Sequence, residues 1–436
     1  MNIYLKKSDP HIAKLVAAET KRQSETLDLI PSENIVSDAV LEAVGSVLIN
    51  KYSEGYPRKR YYAGNGVADD VEMLCQERAK KLFELGDEWS VNVQALSGSP
   101  ANMAVYFALL KPGDTVMGMA LSSGGHLTHG SPVNFSGKLF RIVSYDVTAK
   151  GFLDYDQIRK IARKEKPKMI IAGATAYPRI IDFEKFADIA REVGAFLIVD
   201  MAHIAGLVAS GSHPSPFSAK GARLRNGQEQ VLADVVTTTT HKTLRGPRGA
   251  LIFSRNDRMI MSKNKAGAKV SISRAIDSAV FPGLQGGPHD NQTAAIAVCL
   301  SEAMKPTFKT YGKQIVKNAK ALAQHLRKLR FKLVSGGTDN HLMLIDLTNM
   351  GLTGKQAQDK LEQAGIIVNR NTIPHDTRSP FDPSGIRIGT PSLTTRGMKE
   401  KEMKIVAQLI YETLAKSNLS GTRKSIGALC RKFPIV

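Results

Sequence analysis

Three groups of polar residues in this sequence each follow a run that is typical of a β-strand. Lys242 comes shortly after the β-branched run VVTTTT, and Asp200 closes the apolar run AFLIVD. Ser97, Gly98 and Ser99 lie between a short strand pattern and a helical pattern. A lysine amine can form a Schiff base with a carbonyl group, and an aspartate can ion-pair a protonated ring nitrogen. The N–H groups at a helix start can bind a phosphate.

Each of these features alone has a more common explanation, namely a solvated lysine, a helix-capping aspartate and an ordinary turn. Along the chain, the helix start that could bind phosphate comes first, the aspartate second and the lysine third, each at a strand end of one α/β sheet. This combination is much harder to obtain by chance. Pyridoxal 5′-phosphate needs an amine for its aldehyde, an acid for its pyridinium nitrogen and a cradle for its phosphate. The sequence therefore predicts an enzyme of amino-acid metabolism that uses this cofactor.

Two histidines and a second glycine turn extend the prediction. His126, in GGHLTHG, could stack on the cofactor ring, although a histidine beside glycines is usually a polar loop residue. His203, three residues past Asp200, could reach the phenolic oxygen of the cofactor. The turn GGP (286–288) repeats the phosphate-binding pattern before another helical stretch. No pair of residues has the H-E-x-x-H or C-x-x-C spacing of a metal site, so we predict no metal.

The elements that must position these residues alternate along the chain. Strand and helical patterns follow one another between residues 92 and 254, which indicates an α/β fold with a doubly wound, mostly parallel sheet. Beyond residue 295 the pattern is typical of a smaller α/β domain. We expect an N-terminal arm (1–40), a large cofactor-binding domain (41–295) and a small C-terminal domain (296–436). The polar segment 218–232 is predicted to be an exposed loop.

Composition narrows the class of protein further. The formal net charge is +20, but the basic residues are spread along the chain, so we expect a solvated basic surface and no nucleic-acid partner. Cys75, Cys299 and Cys430 lie far apart among apolar neighbours, which predicts buried free thiols in a reducing compartment. No apolar run reaches the roughly 18 residues of a membrane span, and the start lacks a signal-peptide core. We expect an unprocessed, soluble, cytoplasmic protein with no membrane partner.

Several longer stretches of the chain resemble the serine hydroxymethyltransferase family closely, from end to end. Two of them are highly specific signatures, VDMAHIAGLVA (199–209) and VVTTTTHKTLRGPRG (235–249). The others are PSEN (31–34), NKYSEGYPRKRYY (50–62), SGSPAN (97–102), GGHLTHGSPVNFSGK (124–138), FPGLQGGP (281–288), TDNHLMLIDL (338–347), SPF (379–381) and SGIRIGTPSLTTRGM (384–398).

This resemblance implies a fold and a reaction. The fold would be α/β of the fold-type I, aminotransferase-like kind that depends on pyridoxal phosphate. It has a large domain with a mostly parallel seven-stranded sheet and a smaller C-terminal α/β domain. The reaction would be reversible transfer of the hydroxymethyl group of L-serine to the co-substrate tetrahydrofolate, giving glycine and 5,10-methylenetetrahydrofolate. The family implies an obligate homodimer, and whether two dimers form a tetramer stays open.

The resemblance also implies roles for single residues toward the cofactor. Lys242 would carry the Schiff base, Asp200 would bind the ring nitrogen, and His126 would stack on the ring. The further cofactor-binding residues that it implies are Thr175 and His203 near the phenolic oxygen, His241 beside the lysine, Ser97, Gly98 and Ser99 at the phosphate, and Tyr52 and Gly287, which complete the phosphate site across the dimer interface.

Toward the substrates, the resemblance implies that Arg387 clamps the substrate carboxylate with two parallel hydrogen bonds. Glu54 would move protons near the hydroxymethyl group and folate, and Tyr62 would help to position the carboxylate, both from the partner subunit. The remaining substrate residues that it implies are Ser32, near the amino acid, and Leu121, Gly125, Leu127, Ser379, Pro380 and Phe381, which match the folate contacts of the family.

The sequence departs from the family in three places. Most residues between positions 216 and 233 look inserted, Ala63 and segment 65–68 break a usual glycine and acidic pattern, and Ala95 replaces a common proline. These changes leave the catalytic side chains in place and bear on substrate range and rate.

Two other functions stay open on the sequence. A threonine-type aldolase of the same fold would cleave β-hydroxy amino acids without folate, but Glu54 and the SPF segment argue against it. A basic RNA-binding regulator without activity is the alternative from another class. The complete set of Lys242, Asp200, Arg387 and Glu54 argues against such a loss of activity.

Overall fold

The computed structural model describes residues 3–223, 229–263 and 267–435. Backbone contacts divide the described chain into two compact units. The large unit is Val36–Lys313, and the small unit combines Met1–Ile35 with Gln314–Val436. The small unit is thus built from both ends of the chain. The domain limits expected at residues 40 and 295 stay a prediction.

A seven-stranded sheet forms the centre of the large unit. Ala250–Arg255 pairs antiparallel with both of its neighbours, whereas the other pairings of the sheet are parallel. Parallel strands covered on both faces read as continuous apolar runs, and Met169–Gly173 (MIIAG) is buried at every position. The predicted mostly parallel sheet is therefore confirmed. Its strands lie in the spatial order Trp89–Asn92, Ala250–Arg255, Val235–Thr239, Phe196–Asp200, Met169–Gly173, Thr115–Met119 and Arg141–Tyr145.

Helices connect the strands of this sheet, and Phe183–Val193 is representative. Asp182 caps its start by accepting the N–H of Lys185 at 3.1 Å, and Gly194 ends it in the left-handed conformation. The helical spacing of apolar residues in the sequence predicts helices at 69–85 and 100–110, and the structure has them as Gly66–Leu82 and Gly98–Leu109, displaced by up to one turn. Other helices of this unit are Asp38–Val44, Phe135–Leu139, Tyr155–Glu165, Ala205–Ala209, Ile272–Ser278 and Asp290–Ala303.

The segment that looks inserted contains two short paired strands. Ser218–Arg223 pairs antiparallel with Glu229–Val231, while residues 224–228 lie outside the described residues. The prediction of a loop over 218–232 is therefore wrong for the described part of its backbone. The physical reason is that backbone hydrogen bonding between two short strands does not depend on apolar alternation, which the sequence lacks here.

The small unit contains a four-stranded antiparallel sheet, in the spatial order Lys332–Leu333, Leu342–Asp346, Gly385–Gly389 and Asn369–Asn371. One apolar cluster joins this sheet to its helices. The N-terminal segment is tied in by strand Leu27–Asp28, which pairs in parallel with Ile366–Ile367. The helices of these segments are Ile3–Ser8, Pro10–Glu25, Gly354–Ala364, Pro391–Thr395, Glu400–Ala415 and Leu419–Lys432, and Pro306–Lys328 runs past the division between the units.

Cys75, Cys299 and Cys430 are all buried and free, as predicted. Among the described residues, no helix combines the length and the apolar character that crossing a membrane requires.

Candidate active site

Asp200 ends its strand as a carboxylate with three hydrogen-bond contacts. Oδ2 accepts from Asn102 Nδ2 at 2.8 Å and lies 3.2 Å from His129 Nε2, while Oδ1 accepts the N–H of Ala202 at 3.0 Å. Burial alone would raise the pKa of Asp200. The hydrogen bond from His129, the nearby imidazoles and the Asn102 amide outweigh burial and hold that pKa well below its usual range. Asp200 is therefore an anion at neutral pH.

Asn102 links Asp200 to the neighbouring strand. Its Oδ1 accepts the hydroxyl hydrogen of Thr237 at 2.7 Å, and its Nδ2 also lies 2.9 Å from Thr128 Oγ1. Because a threonine hydroxyl donates to its oxygen, the amide is oriented with its nitrogen toward the carboxylate. The amide thereby restricts the direction in which Asp200 points.

Lys242 follows the strand that lies beside the strand of Asp200. The parallel register pairs Thr237 with Asp200, so both strands end at the same edge of the sheet. Beyond Thr239 the chain turns, and the turn is held by the N–H of Gly246, which donates to Thr240 O at 2.8 Å. Lys242 is only 9% exposed, although lysine is among the residues that are least often buried. The structure thus brings a buried amine to the sheet edge where the anionic aspartate ends.

His241 lies between the strand and the lysine. Burial, with the positive charges of Lys242 and Arg248, lowers the pKa of His241 to about 4. The imidazole is neutral at physiological pH, and its buried Nδ1 has no hydrogen-bond partner within the described ranges. A neutral ring with an unused nitrogen can take a polar ligand atom.

Ser97, Gly98 and Ser99 stand where the sequence predicts, at the start of helix Gly98–Leu109. Ser97 occupies the N-cap position but makes no capping hydrogen bond in the described chain. A Cβ on Gly98 would lie 2.8 Å from Thr239 Cγ2, so only glycine fits at this approach. Thr239 Oγ1 is buried and, among the residues described, has no hydrogen-bond partner. A buried polar atom beside a helix start that has room for an anion fits a phosphate-bearing ligand.

The glycine loop after strand Thr115–Met119 carries His126 and contacts the backbone of Thr175. The carbonyl of Gly124, which has φ +104°, accepts the N–H of Thr175 at 2.8 Å. His126 and His129 face each other across a short turn, and with Asp200 they place potential ligand atoms within 4.8 Å of one another. Within this cluster, His129 is already hydrogen-bonded to Asp200. The absence of a metal stays a prediction.

Leu121, Gly125 and Leu127 belong to the same glycine loop. Both leucines are exposed, and Gly125 packs so closely on Met119 O that a side chain could not be accommodated. His203, three residues after Asp200 in the chain, is buried, and its carbonyl accepts the Thr243 hydroxyl at 3.0 Å.

Tyr52, Glu54 and Tyr62 form a group beside Gly286 and Gly287 in which both tyrosines are exposed and Glu54 is half-buried. The Tyr52 hydroxyl donates to Glu54 Oε1 at 3.3 Å, and the rings of the two tyrosines meet edge to face with centroids 5.0 Å apart. A Cβ on Gly287 would lie 3.4 Å from the Tyr52 ring. Two tyrosines about half exposed on a structured loop are an apolar surface suited to a contact.

Arg60 holds the loop that carries this group. Its guanidinium donates to Asp69 Oδ1 at 2.8 Å and Glu72 Oε2 at 2.6 Å, and to the carbonyls of Ser53 and Gly55 at 2.9 and 2.8 Å. Since these carbonyls lie on either side of Glu54, the hydrogen bonds from Arg60 hold the backbone at Glu54 in place.

The small unit carries the other residues that the sequence singles out. Arg387 lies in strand Gly385–Gly389 with its Nε donating to Asn369 Oδ1 at 3.1 Å, and burial lowers its pKa to about 10. It is still a cation at neutral pH. Ser32 lies in the turn after strand Leu27–Asp28, half-buried. The exposed residues of a separate loop are Ser379, Pro380 and Phe381.

Two site residues escaped the sequence analysis, His129 and Asn102. Both lie inside stretches that the family resemblance covers, GGHLTHG and SGSPAN. The second histidine of GGHLTHG was a usable signal, because the spacing of three residues suits a short turn that brings both rings together.

A buried lysine, an ionised aspartate and a helix start without a side-chain cap in the described chain, all at the carboxyl edge of one mostly parallel sheet, define the pyridoxal-phosphate class of α/β enzymes. The comparisons with known proteins agree. Residues 5–410 match the family described as "Serine hydroxymethyltransferase". A "Serine hydroxymethyltransferase" from Desulfotalea psychrophila (strain LSv54 / DSM 12343) is 54% identical over 434 residues, which cover 99% of this chain and 95% of that protein. The chain belongs to the serine hydroxymethyltransferase family.

Proposed function

We propose that this protein transfers the hydroxymethyl group of L-serine to tetrahydrofolate, reversibly, with pyridoxal phosphate as its cofactor. One observation carries the proposal: the buried amine of Lys242 and the anionic carboxylate of Asp200 lie at one edge of the sheet. Membership of the family supports the same reaction. When bound, the cofactor supplies an electron sink for the carbanion left after the Cα–Cβ bond of serine breaks.

The residues present fit this cofactor. Thr239 Oγ1 and His241 Nδ1 are buried polar atoms that lack partners in the described chain, and Gly98 leaves room for a phosphate beside the first of them. We assign ring-nitrogen binding to Asp200 and the amine to Lys242. The other proposed cofactor contacts are His126 over the ring, Thr175 and His203 at the phenolic oxygen, His241, and Ser97, Gly98 and Ser99 at the phosphate.

The substrates call for a cation and a proton carrier. Arg387, charged and set in a rigid strand, would bind the substrate carboxylate, with Ser32 and Tyr62 as further contacts. Glu54, whose carboxylate accepts a hydrogen bond from Tyr52, would hold or move a proton at the serine hydroxyl. The folate contacts that we propose are Leu121, Gly125, Leu127, Ser379, Pro380 and Phe381.

We further propose that the protein is a homodimer in which Tyr52, Glu54, Tyr62 and Gly287 serve the site of the partner subunit. The exposed tyrosines support this assembly. Mixing Lys242→Ala with Glu54→Gln chains and allowing exchange tests it. Activity returns only if lysine and glutamate come from different subunits, because one of the two hybrid sites is then intact. No recovery, despite exchange shown by native mass spectrometry, would mean that each chain supplies its own glutamate.

The free buried cysteines support a reducing, cytoplasmic location.

Glycine formation from L-serine, measured with and without tetrahydrofolate, tests the reaction itself. We expect turnover that depends on folate and is abolished in Lys242→Ala. Cleavage of threonine at the same rate with and without folate, together with no folate-dependent serine turnover, would assign the protein to the aldolases instead.

A further inference from the structure

His129 is a buried histidine that lies between Asp200 and the backbone of His126. Its side chain is 1% exposed, and its Nε2 lies 3.2 Å from Asp200 Oδ2. On the other side of the ring, its Nδ1 accepts the backbone N–H of His126 at 3.3 Å. Both ring nitrogens are therefore engaged by groups of the chain.

The contact with His126 decides which nitrogen carries the hydrogen. A backbone N–H can only donate, so Nδ1 of His129 must be the acceptor. The neutral imidazole then has its hydrogen on Nε2, and it donates that hydrogen to Asp200 Oδ2. A ring held in this tautomer favours the ionised carboxylate, because a hydrogen on Asp200 Oδ2 would face the hydrogen on His129 Nε2.

Packing keeps the ring in this place. Strand residue Gly118 lies against the backbone and Cβ of His129, and a Cβ there would come within 3.2 Å of the histidine Cβ. The second donor to the same carboxylate oxygen is Asn102 Nδ2, at 2.8 Å. Besides His129, titratable side chains that interact with Asp200 are His126 and Tyr106. Neither of them donates a hydrogen bond to the carboxylate in the described contacts.

We propose that His129 is a positioning residue that keeps Asp200 ionised and directed at the ring nitrogen of the cofactor, while His126 fixes the tautomer of His129 through its backbone. The inference rests on the function proposed above. His129 itself touches neither cofactor nor substrate in this assignment, and it acts only through Asp200.

Two polar substitutions separate this role from a purely structural one. In His129→Gln the amide nitrogen reaches as far as Nε2, so the donor to Asp200 is kept. In His129→Asn the amide reaches only as far as Nδ1, so the contact to the His126 N–H is kept and the contact to Asp200 is lost. His129→Leu removes both contacts, and thermal unfolding of each holoenzyme shows whether the variant is folded.

The main readout is the protonation of the cofactor ring, observed by NMR with pyridoxal phosphate isotope-labelled at its ring nitrogen. We expect a protonated ring in wild type and His129→Gln, and a largely deprotonated ring in His129→Asn and His129→Leu. The same two variants should lose kcat by about tenfold or more with a smaller change in KM, as expected for one charge-assisted hydrogen bond.

Two results would overturn the inference. In the first, His129→Asn behaves like wild type while His129→Gln behaves like His129→Leu, which would assign the histidine to the turn alone. In the second, the ring stays protonated in all three variants. Failure of the proposed function is distinguishable from both, because the wild-type protein would then bind no pyridoxal phosphate or show no folate-dependent turnover.

Discussion

Arg60 and Glu72 form an ion pair of 2.6 Å in which both side chains are only 3% exposed. Burial raises the pKa of Glu72, while the charge and hydrogen bonds of Arg60 oppose that rise. The same guanidinium holds the backbone on both sides of Glu54. The loop that presents Glu54 therefore depends on a buried charge network rather than on an apolar core.

Removing the arginine should destabilise the large unit strongly. We expect Arg60→Met to lower the free energy of unfolding by about 3–5 kcal/mol, because Glu72 is left buried without its partner. Arg141→Met is the matched control in the same unit, since Arg141 is 56% exposed and pairs with Glu165 at the surface. That variant should lose much less stability, because an exposed ion pair is replaced by contacts with water. Equal losses in urea unfolding would contradict the assignment.

The close approach of Gly98 to Thr239 predicts a double-mutant rescue. Gly98→Ala places a methyl group against Thr239 Cγ2, so the Kd for pyridoxal phosphate should weaken by about tenfold. Thr239→Ser removes that Cγ2 and should restore binding in the double variant. Gly66→Ala also adds a methyl group at the first residue of a helix, but in open space, and should leave binding unchanged. Equilibrium dialysis measures the Kd of the wild type, Gly98→Ala, the double variant and Gly66→Ala. The prediction fails if adding Thr239→Ser to Gly98→Ala does not restore binding.

His241 predicts a loss of stability in mild acid. Its pKa is about 4 in the folded protein and 6.5 ordinarily, so only the unfolded chain takes up the proton between these values. The free energy of unfolding should therefore decrease as the pH falls through this window, by up to about 3 kcal/mol. His241→Gln cannot titrate and should lose less stability between about pH 7.5 and about pH 5 in urea unfolding of the apoprotein.

The control for this measurement is His11→Gln, at an exposed position of helix Pro10–Glu25. It should show the same pH dependence as wild type. If His241→Gln also follows wild type, the acid sensitivity does not come from His241.

The thiols should be unreactive in the native protein. Burial raises the pKa of Cys299 to about 12 and raises those of Cys75 and Cys430 as well, and the thiolate is the reactive form. We expect an aromatic disulfide reagent to label none of the 3 cysteines in the folded protein and all of them in urea. Rapid labelling of one thiol without unfolding would show that its environment is open.

The sequence was sufficient for the sheet and for the residues at its edge. A parallel strand covered on both faces reads as a short run of apolar or β-branched residues, and Lys242, Asp200 and Ser97 could be recognised because each lies at or shortly after the end of a strand pattern. The limits of helix Gly66–Leu82 were displaced because helix ends depend on caps and not on periodicity alone.

The partners of Asp200 could not be predicted in the same way. Asn102 and His129 lie 98 and 71 residues from Asp200 along the chain, and neither follows an apolar strand pattern. Their role arises only when the helix start and the glycine loop are folded against the strand end. The pairing of Ser218–Arg223 with Glu229–Val231 was missed for a related reason, since it is made by the backbone.

The parallel pairing of Leu27–Asp28 with Ile366–Ile367 has a consequence for synthesis on the ribosome. The N-terminal segment emerges first, but the strand that it needs is translated more than three hundred residues later. All the strands of the seven-stranded sheet are complete before that point. The large unit can therefore fold during translation, whereas strand Leu27–Asp28 stays unpaired until Ile366–Ile367 has been synthesised.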